Sequence, residues 1–352
     1  MRERLTEFDL LRILAALCVI AIHVTARYDL QQSELAYVLN QATRNAVPFF
    51  VIMSGFLLYY LDRQRWLGSG AFFRKRFGRV LWPYLLWTLI YYLLSNHYLG
   101  VAWSGWQNWL LQLGQHLLHG TGFFHLYFLV IIFQLYLLYP LLRIWVKKQA
   151  AFALVISLLL SLAGQTAVYL QEMQLITLPP LNGFLYCTLF PLWLFYFVLG
   201  MYLAEKRAGF AAWLQKKAVL LGLLTLAALV LLLLESRYTQ TWELTIKPSI
   251  LLYTLSSYCF FYALALRLRE HIPVSRAQRL EWLSGQSFLI FLLHPLILSI
   301  LFLFTPAGWT PWTGDPGMVL LFIAVSLTSL AATWLVSRTP LASLLGGLPT
   351  RR

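Results

Sequence analysis

His23 closes an apolar run, Ile13 to Ile22, that begins directly behind Glu7-Phe8-Asp9-Leu10-Leu11-Arg12. An imidazole can take a proton from a hydroxyl and hand it on. An ionisable group inside hydrocarbon costs several kcal/mol unless it faces a cavity, a partner or the interior of a bundle, so it is a functional candidate by default. With about 100° of turn and 1.5 Å of rise per residue, Arg12 and His23 share nearly one helical face about 16 Å apart along the axis. Asp9 falls close to that face. Asp9 and Arg12 by themselves read equally well as headgroup anchors at a helix start; His23 does not.

Further candidates lie along the chain. The densest basic stretch is Arg74-Lys75-Arg76-Phe77-Gly78-Arg79, followed by Pro83. Arg76 and Arg79 are three apart and project from one side of a helical turn. Their guanidinium forks suit phosphate oxygens, although anchoring to anionic lipid is the plainer use of Arg-x-x-Arg at a membrane edge. Arg44 precedes Val47-Pro48-Phe49-Phe50 and Ser54-Gly55-Phe56-Leu57. It either holds an anionic or developing negative charge or pairs with Asp29 or Glu34. Ser54 and Gly55 are small enough to let helices approach closely. His125 stands in His125-Leu126-Tyr127-Phe128-Leu129, and His294 precedes Pro295, where a kink and a freed carbonyl are expected. Trp103, Trp106 and Trp109 read as an interfacial belt or a sugar-stacking surface. A zinc site on His116, His119 and His125 has no Cys or carboxylate at ligand spacing to support it.

The elements that must position these groups are membrane helices. The 352 residues are 60% hydrophobic, 16% aromatic and only 11% charged, which excludes an ordinary soluble domain. Ten apolar runs of spanning size stand out: Leu10 to Arg27, Val47 to Leu61, Val80 to Leu99, Phe124 to Leu142, Phe152 to Leu170, Leu189 to Ala204, Val219 to Leu234, Pro248 to Leu266, Phe288 to Phe304 and Met318 to Val336. Helices are the spanning element because a β-barrel would alternate instead. All but four of the 27 Lys and Arg residues fall on one side of this arrangement; Arg27, Arg44, Arg237 and Lys247 are the four. That asymmetry places both termini in the cytoplasm and explains the net charge of +14 as a topology signal, so no nucleic-acid partner is expected. No small-residue cleavage site follows the first run. Cys18, Cys187 and Cys259 are too scattered for a metal or redox motif. The expected fold is an all-α polytopic bundle of about ten helices, with residues 1–352 as one domain.

Taken in order, these stretches resemble the acyltransferase family 3 membrane proteins, in particular the branch that O-acetylates surface polysaccharides. The resemblance rests on Asp9 and Arg12 with His23 eleven residues beyond Arg12, Val47-Pro48-Phe49-Phe50 leading to Ser54-Gly55-Phe56-Leu57, Arg76-x-x-Arg79 before Pro83, the His125 segment, Phe195 with Leu199-Gly200, and Ser287 to His294-Pro295. Tyr127 departs from it, standing where the family more often has tryptophan. The resemblance implies an acetyl-CoA or other acyl-CoA donor reached from the cytoplasm of a bacterium. The acceptor would be a hydroxyl of a surface or lipid-linked glycan at or beyond the outer half of the cytoplasmic membrane. No metal is expected.

In that chemistry His23 is the expected base, with Asp9, Arg12, Arg44 and His125 as further catalytic candidates. Arg76, Arg79, Arg12 and Lys75 are expected on the CoA phosphates, and Arg44, His125 and His294 near the acceptor or the oxyanion. Direct attack by the sugar oxygen and an acyl-histidine intermediate both remain open. The competing reading is a polytopic transporter or exporter of a glycan or small molecule, against which stands the lack of internal symmetry between the halves.

Overall fold

A computed structural model describes residues 5–64, 66, 68–98, 105–179, 183–303 and 311–349. Among them are thirteen helices: α1 Thr6–Thr25, α2 Glu34–Ala42, α3 Ala46–Gln64, α4 Ser69–Tyr98, α5 Trp106–His119, α6 Tyr127–Glu172, α7 Gly183–Thr188, α8 Pro191–Glu205, α9 Arg207–Thr239, α10 Pro248–Arg269, α11 Val274–Gly285, α12 Ser287–Leu303 and α13 Gly314–Ser337. Each of the ten expected segments is mainly helical over its described residues, but Ala26-Arg27, Phe124 to Leu126 and Leu189-Phe190, at the ends of three of them, are turns or irregular; Leu99 and Phe304, at the ends of two others, lie outside the described residues. By length and apolarity seven helices reach spanning size, or eight with α11 and α12 taken as one span bent by 57°. The α4 helix is not among them, because Trp82, Pro83, Tyr84, Trp87, Tyr91 and Tyr92 dilute the apolar stretch that follows its basic first turns.

The 46-residue α6 counts once in that number but would run about 69 Å if straight, more than twice the thickness of a hydrocarbon core. Gln149 leaves helical geometry (φ −144°, ψ 59°) and divides it into two legs. Gln134 on the first leg donates to the Thr188 carbonyl (2.7 Å), and Ser161 and Gln165 on the second donate to the Pro191 and Leu192 carbonyls (2.6 and 2.8 Å). Both legs therefore meet the start of α8, so the chain folds back on itself at Gln149, as the fourth and fifth expected runs require.

The innermost crossing is α3 against α8. A Cβ on Gly55 would collide with the backbone carbonyl of Phe197, and one on Gly200 with that of Ile52. The two glycines thus let the helix backbones touch, as small residues do in membranes, where lipid supplies no hydrophobic drive between helices. Gly200→Ala is expected to cost about 1–3 kcal/mol or more by overpacking. The measurement is the melting temperature of the purified variant in detergent; an unchanged value would contradict this crossing.

Charge positions sort by end as the sequence suggests. Buried Glu7 pairs with Arg207 (3.4 Å) and Arg269 (3.0 Å), while Arg63 pairs with Glu205 (3.4 Å). The C-terminal segment returns to the same end, where the Gln286 amide donates to the Leu348 carbonyl (2.7 Å) and Ser284 bonds Asp9. At the opposite end Arg237 pairs with Glu34 (2.8 Å) and buried Lys247 with Glu235 (2.9 Å).

Candidate active site

Toward the end opposite the basic cluster, α1 delivers His23 from its last turn to a cavity of about 600 Å³. Arg27, Asn40, Arg44, Phe124, His125 and Tyr127 also line it. His23 is half-buried and lies 4.5 Å from Phe124 between ring centroids. His294 stacks behind His23 at 5.4 Å, and His125 meets His294 edge-on at 5.9 Å. Three helical regions far apart in sequence thus converge on one imidazole cluster. His294 donates from Nδ1 to the Ile290 carbonyl (3.1 Å), which leaves Nε2 without a partner among the described residues. Both ring nitrogens of buried His125 are likewise unpartnered there.

The expected disturbance at Pro295 is present but takes another form. The Tyr91 hydroxyl of α4 inserts into the ladder of α12, donating to the Leu292 carbonyl (2.7 Å) and accepting from the Leu296 amide (3.1 Å). Buried Tyr91 also stacks on Phe123 at 4.4 Å and meets the His125 ring edge-on at 5.1 Å. It therefore ties the proline break to the histidine cluster. Nothing in the sequence singles it out, because it is one of many tyrosines in apolar context.

Arg44 pairs with neither of the carboxylates considered for it. Asp29 accepts from the Gln31 amide instead, and Glu34 is taken by Arg237. The Arg44 guanidinium is 6% exposed and donates to the Glu243 backbone carbonyl (2.9 Å) and to Asn40 Oδ1 (2.9 Å), while its Nε is unpartnered. Asn40, also missed from sequence, donates in turn to Thr25 Oγ1 (3.0 Å) and the Ile22 carbonyl (3.3 Å), fastening Arg44 to the end of α1 beside His23.

A second cavity, of about 200 Å³, lies toward the basic end and is lined by Arg12, Arg76, Arg79, Ser54, Tyr136 and Ser284 among others. The three arginines expected to act together do meet. Lys75 does not join them: it is exposed and absent from the lining, standing on the far side of Arg79 from Arg76 around the helix. Asp9 lines neither cavity; it accepts a hydrogen bond from Ser284, whose residue lines the arginine cavity. Phe291 lines both cavities, and its ring packs on Phe128 at 5.3 Å, which in turn lies 6.2 Å from Phe50. The arginines and His23 thus sit in two chambers separated by an aromatic layer, where hydrophobic packing fills the space between them.

The remaining candidates lie apart. Trp103 falls outside the described residues, while Trp106 and Trp109 stand on α5 with ring centroids 6.1 Å apart. His116 bonds Thr121 through Nδ1 (2.8 Å), packs on Tyr92, and is held below the ordinary imidazole pKa by partial burial. Among the described residues no three His, Cys, Asp or Glu side chains are placed to hold a metal.

The model of a family described as an acyltransferase domain matches residues 5–338. The chain belongs to acyltransferase family 3. This acyltransferase is a multi-pass membrane protein. It is 24% identical to a putative membrane-bound acyltransferase, YfiQ, of Bacillus subtilis, over 95% of its own length and 92% of that protein's. It is 33% identical to a probable poly-beta-1,6-N-acetyl-D-glucosamine export protein of Staphylococcus epidermidis, but the match spans only 32% of this chain and 31% of that one. A protein of the same description from Staphylococcus aureus is 24% identical over 87% and 85% of the two chains. No solved structure matches the acyltransferase.

Proposed function

We propose that this acyltransferase moves an acetyl group from acetyl-CoA, bound from the cytoplasm, to a hydroxyl of a surface or lipid-linked glycan on the far side of a bacterial cytoplasmic membrane. Phe291 carries the reading. Its ring belongs to the walls of both chambers, so one aromatic layer separates a proton acceptor, His23, from three guanidiniums. Forked donors on Arg12, Arg76 and Arg79 suit the phosphates of CoA. The smaller chamber falls below the ~300–1,000 Å³ usual for a drug-sized ligand, so the nucleotide would rest at its mouth and only the thin acyl-bearing arm would enter. Delivery of the acyl group to His23 then requires the Phe291 ring to turn aside.

An imidazole with the ordinary pKa near 6.5 is largely neutral at pH 7 and able to accept a proton. The acceptor oxygen attacks the thioester carbonyl carbon while His23 takes the hydroxyl proton. The negative charge that builds on the carbonyl oxygen faces Arg44 and His125. Breakage of the carbon–sulfur bond releases the thiolate, which takes the proton from His23 and leaves as CoA, with the acyl group now an ester of the glycan.

The export function in the names of the staphylococcal relatives favours a second reading, transport of a glycan. Purified protein in nanodiscs with labelled acetyl-CoA and glycan extracted from the host separates the two. Transfer of label to the glycan is expected. A protein that leaves acetyl-CoA intact with glycan present would be a carrier.

A further inference from the structure

Among the four basic residues at the His23 end, partners divide unevenly. Arg237 and Lys247 each hold a carboxylate, from Glu34 and Glu235. Arg27 and Arg44 hold none among the described residues: Arg27 lies over the Phe302 ring at 5.2 Å, and Arg44 bonds only a backbone carbonyl and an amide oxygen. These two are also the pair that lines the cavity of His23, and no Asp or Glu among the described residues lines it with them. Glu243, which lends Arg44 its backbone oxygen, has an exposed side chain. A guanidinium that is 6% exposed and has no carboxylate in contact among the described residues, with only the exposed Glu243 acting on it from a distance, is expensive to keep. The fold nevertheless clamps it in place through Asn40, whose own bonds run to α1.

From this distribution we propose that the acceptor is anionic: a sugar unit bearing a carboxylate or phosphate near the hydroxyl to be acylated, with the anion held between Arg27 and Arg44 and the hydroxyl turned to His23. The inference rests on the transferase reading for the role of the hydroxyl, while the anion site stands on the cavity alone. Arg27 stands in the turn just beyond the end of α1, four residues after His23, and lines the same cavity. Arg44 approaches from the segment between α2 and α3. Forked donors suit a planar carboxylate or a phosphate equally. Asn40 and Thr43 add neutral hydrogen-bonding groups to the same lining, as a sugar's remaining hydroxyls require. A neutral acceptor would leave Arg27 without a counter-charge at every stage and would give Arg44 one only while the oxyanion lasts.

The test measures binding of methyl glucuronide, glucose 1-phosphate and methyl glucoside to the full-length protein in nanodiscs, with no CoA present. One or both charged probes should bind at least tenfold more tightly than methyl glucoside, and which of them does so tells carboxylate from phosphate. Arg27→Gln and Arg44→Gln should each reduce that preference by about ten- to a hundredfold, the loss of hydrogen bonds to a charged group. Arg44→Lys should retain part of it. Arg27 is exposed, so its variant keeps the test decisive even if Arg44→Gln folds poorly. Equal binding of all three probes, or a preference that survives Arg27→Gln, overturns the proposal. Acetyl transfer separates this outcome from the fate of the transferase reading. Transfer to glycan stripped of its acidic groups, at the rate seen for intact glycan, sinks the anionic acceptor and spares the transferase. A charged-probe preference without any transfer does the reverse.

Discussion

Replacing His23 by alanine lowers acetyl transfer by about 10²–10⁴-fold, the span usually attributable to a positioned general base. His23→Gln, which fills similar space and keeps a hydrogen-bonding end, falls by a comparable factor, because an amide cannot accept the proton. Both variants should keep the wild-type melting temperature, since His23 is half-buried at a cavity wall rather than locked into packing. The measurement is initial rate with labelled acetyl-CoA at saturating acceptor. Undiminished transfer by either variant removes His23 from the chemistry. His294 provides a useful contrast, being fully buried behind His23 with Nδ1 committed to the Ile290 carbonyl. Its replacement should disturb the orientation of His23 and the fit of α12 together, so both rate and stability fall.

Loss of Arg76 or Arg79 weakens acetyl-CoA binding by about ten- to a hundredfold each, as expected for hydrogen bonds to charged phosphates worth about 1.5–3 kcal/mol. The effect belongs in KM for the donor, with turnover at saturating donor changed little, because the phosphates lie far from the reacting carbon and bind alike in ground and transition states. Calorimetric titration of CoA against wild type, Arg76→Ala and Arg79→Ala checks this directly. Unchanged affinity in both would remove the phosphate clamp. Lys75→Ala, on the exposed side of the same turn, should leave affinity within a fewfold.

Much of this molecule was readable from local chemistry. The apolar runs marked the helices because backbone groups in lipid must bond within their own segment, so a long apolar stretch has few alternatives. The asymmetry of Lys and Arg sorted the loops into two sets, and residues of each set meet at their own end: Glu7 with Arg207 and Arg269, Glu34 with Arg237. Arg76 and Arg79 could be paired from spacing alone, as could Arg12 and His23, because a helix maps sequence separation directly onto direction and distance. Gly55 is a close-approach site, as a small residue in an apolar helix suggests, whereas Ser54 beside it lines the arginine cavity; the backbone that Gly55 touches, that of Phe197, follows from no local pattern.

What escaped were groups defined by partners distant in the chain. Tyr91 acts on α12 about two hundred residues away, bridging a ladder that Pro295 disturbs, and its own neighbours look like any aromatic stretch. Asn40 matters through Arg44 and α1, and Phe291 through having a cavity on either side.

The sequence by itself determined that this chain is a helical membrane protein, where its charges congregate, and that His23 and the arginine pair are its chemically costly residues, since composition and helical period act over a few residues at a time. Only the tertiary structure decided that His23, His125 and His294 form one cluster, that Arg27 and Arg44 line its cavity with no carboxylate among the described residues beside them, and that an aromatic layer stands between this chamber and the arginines. Those outcomes depend on how separate helices cross and which side chains fill the space between them, and that is settled by packing of the whole bundle rather than by any local run of residues.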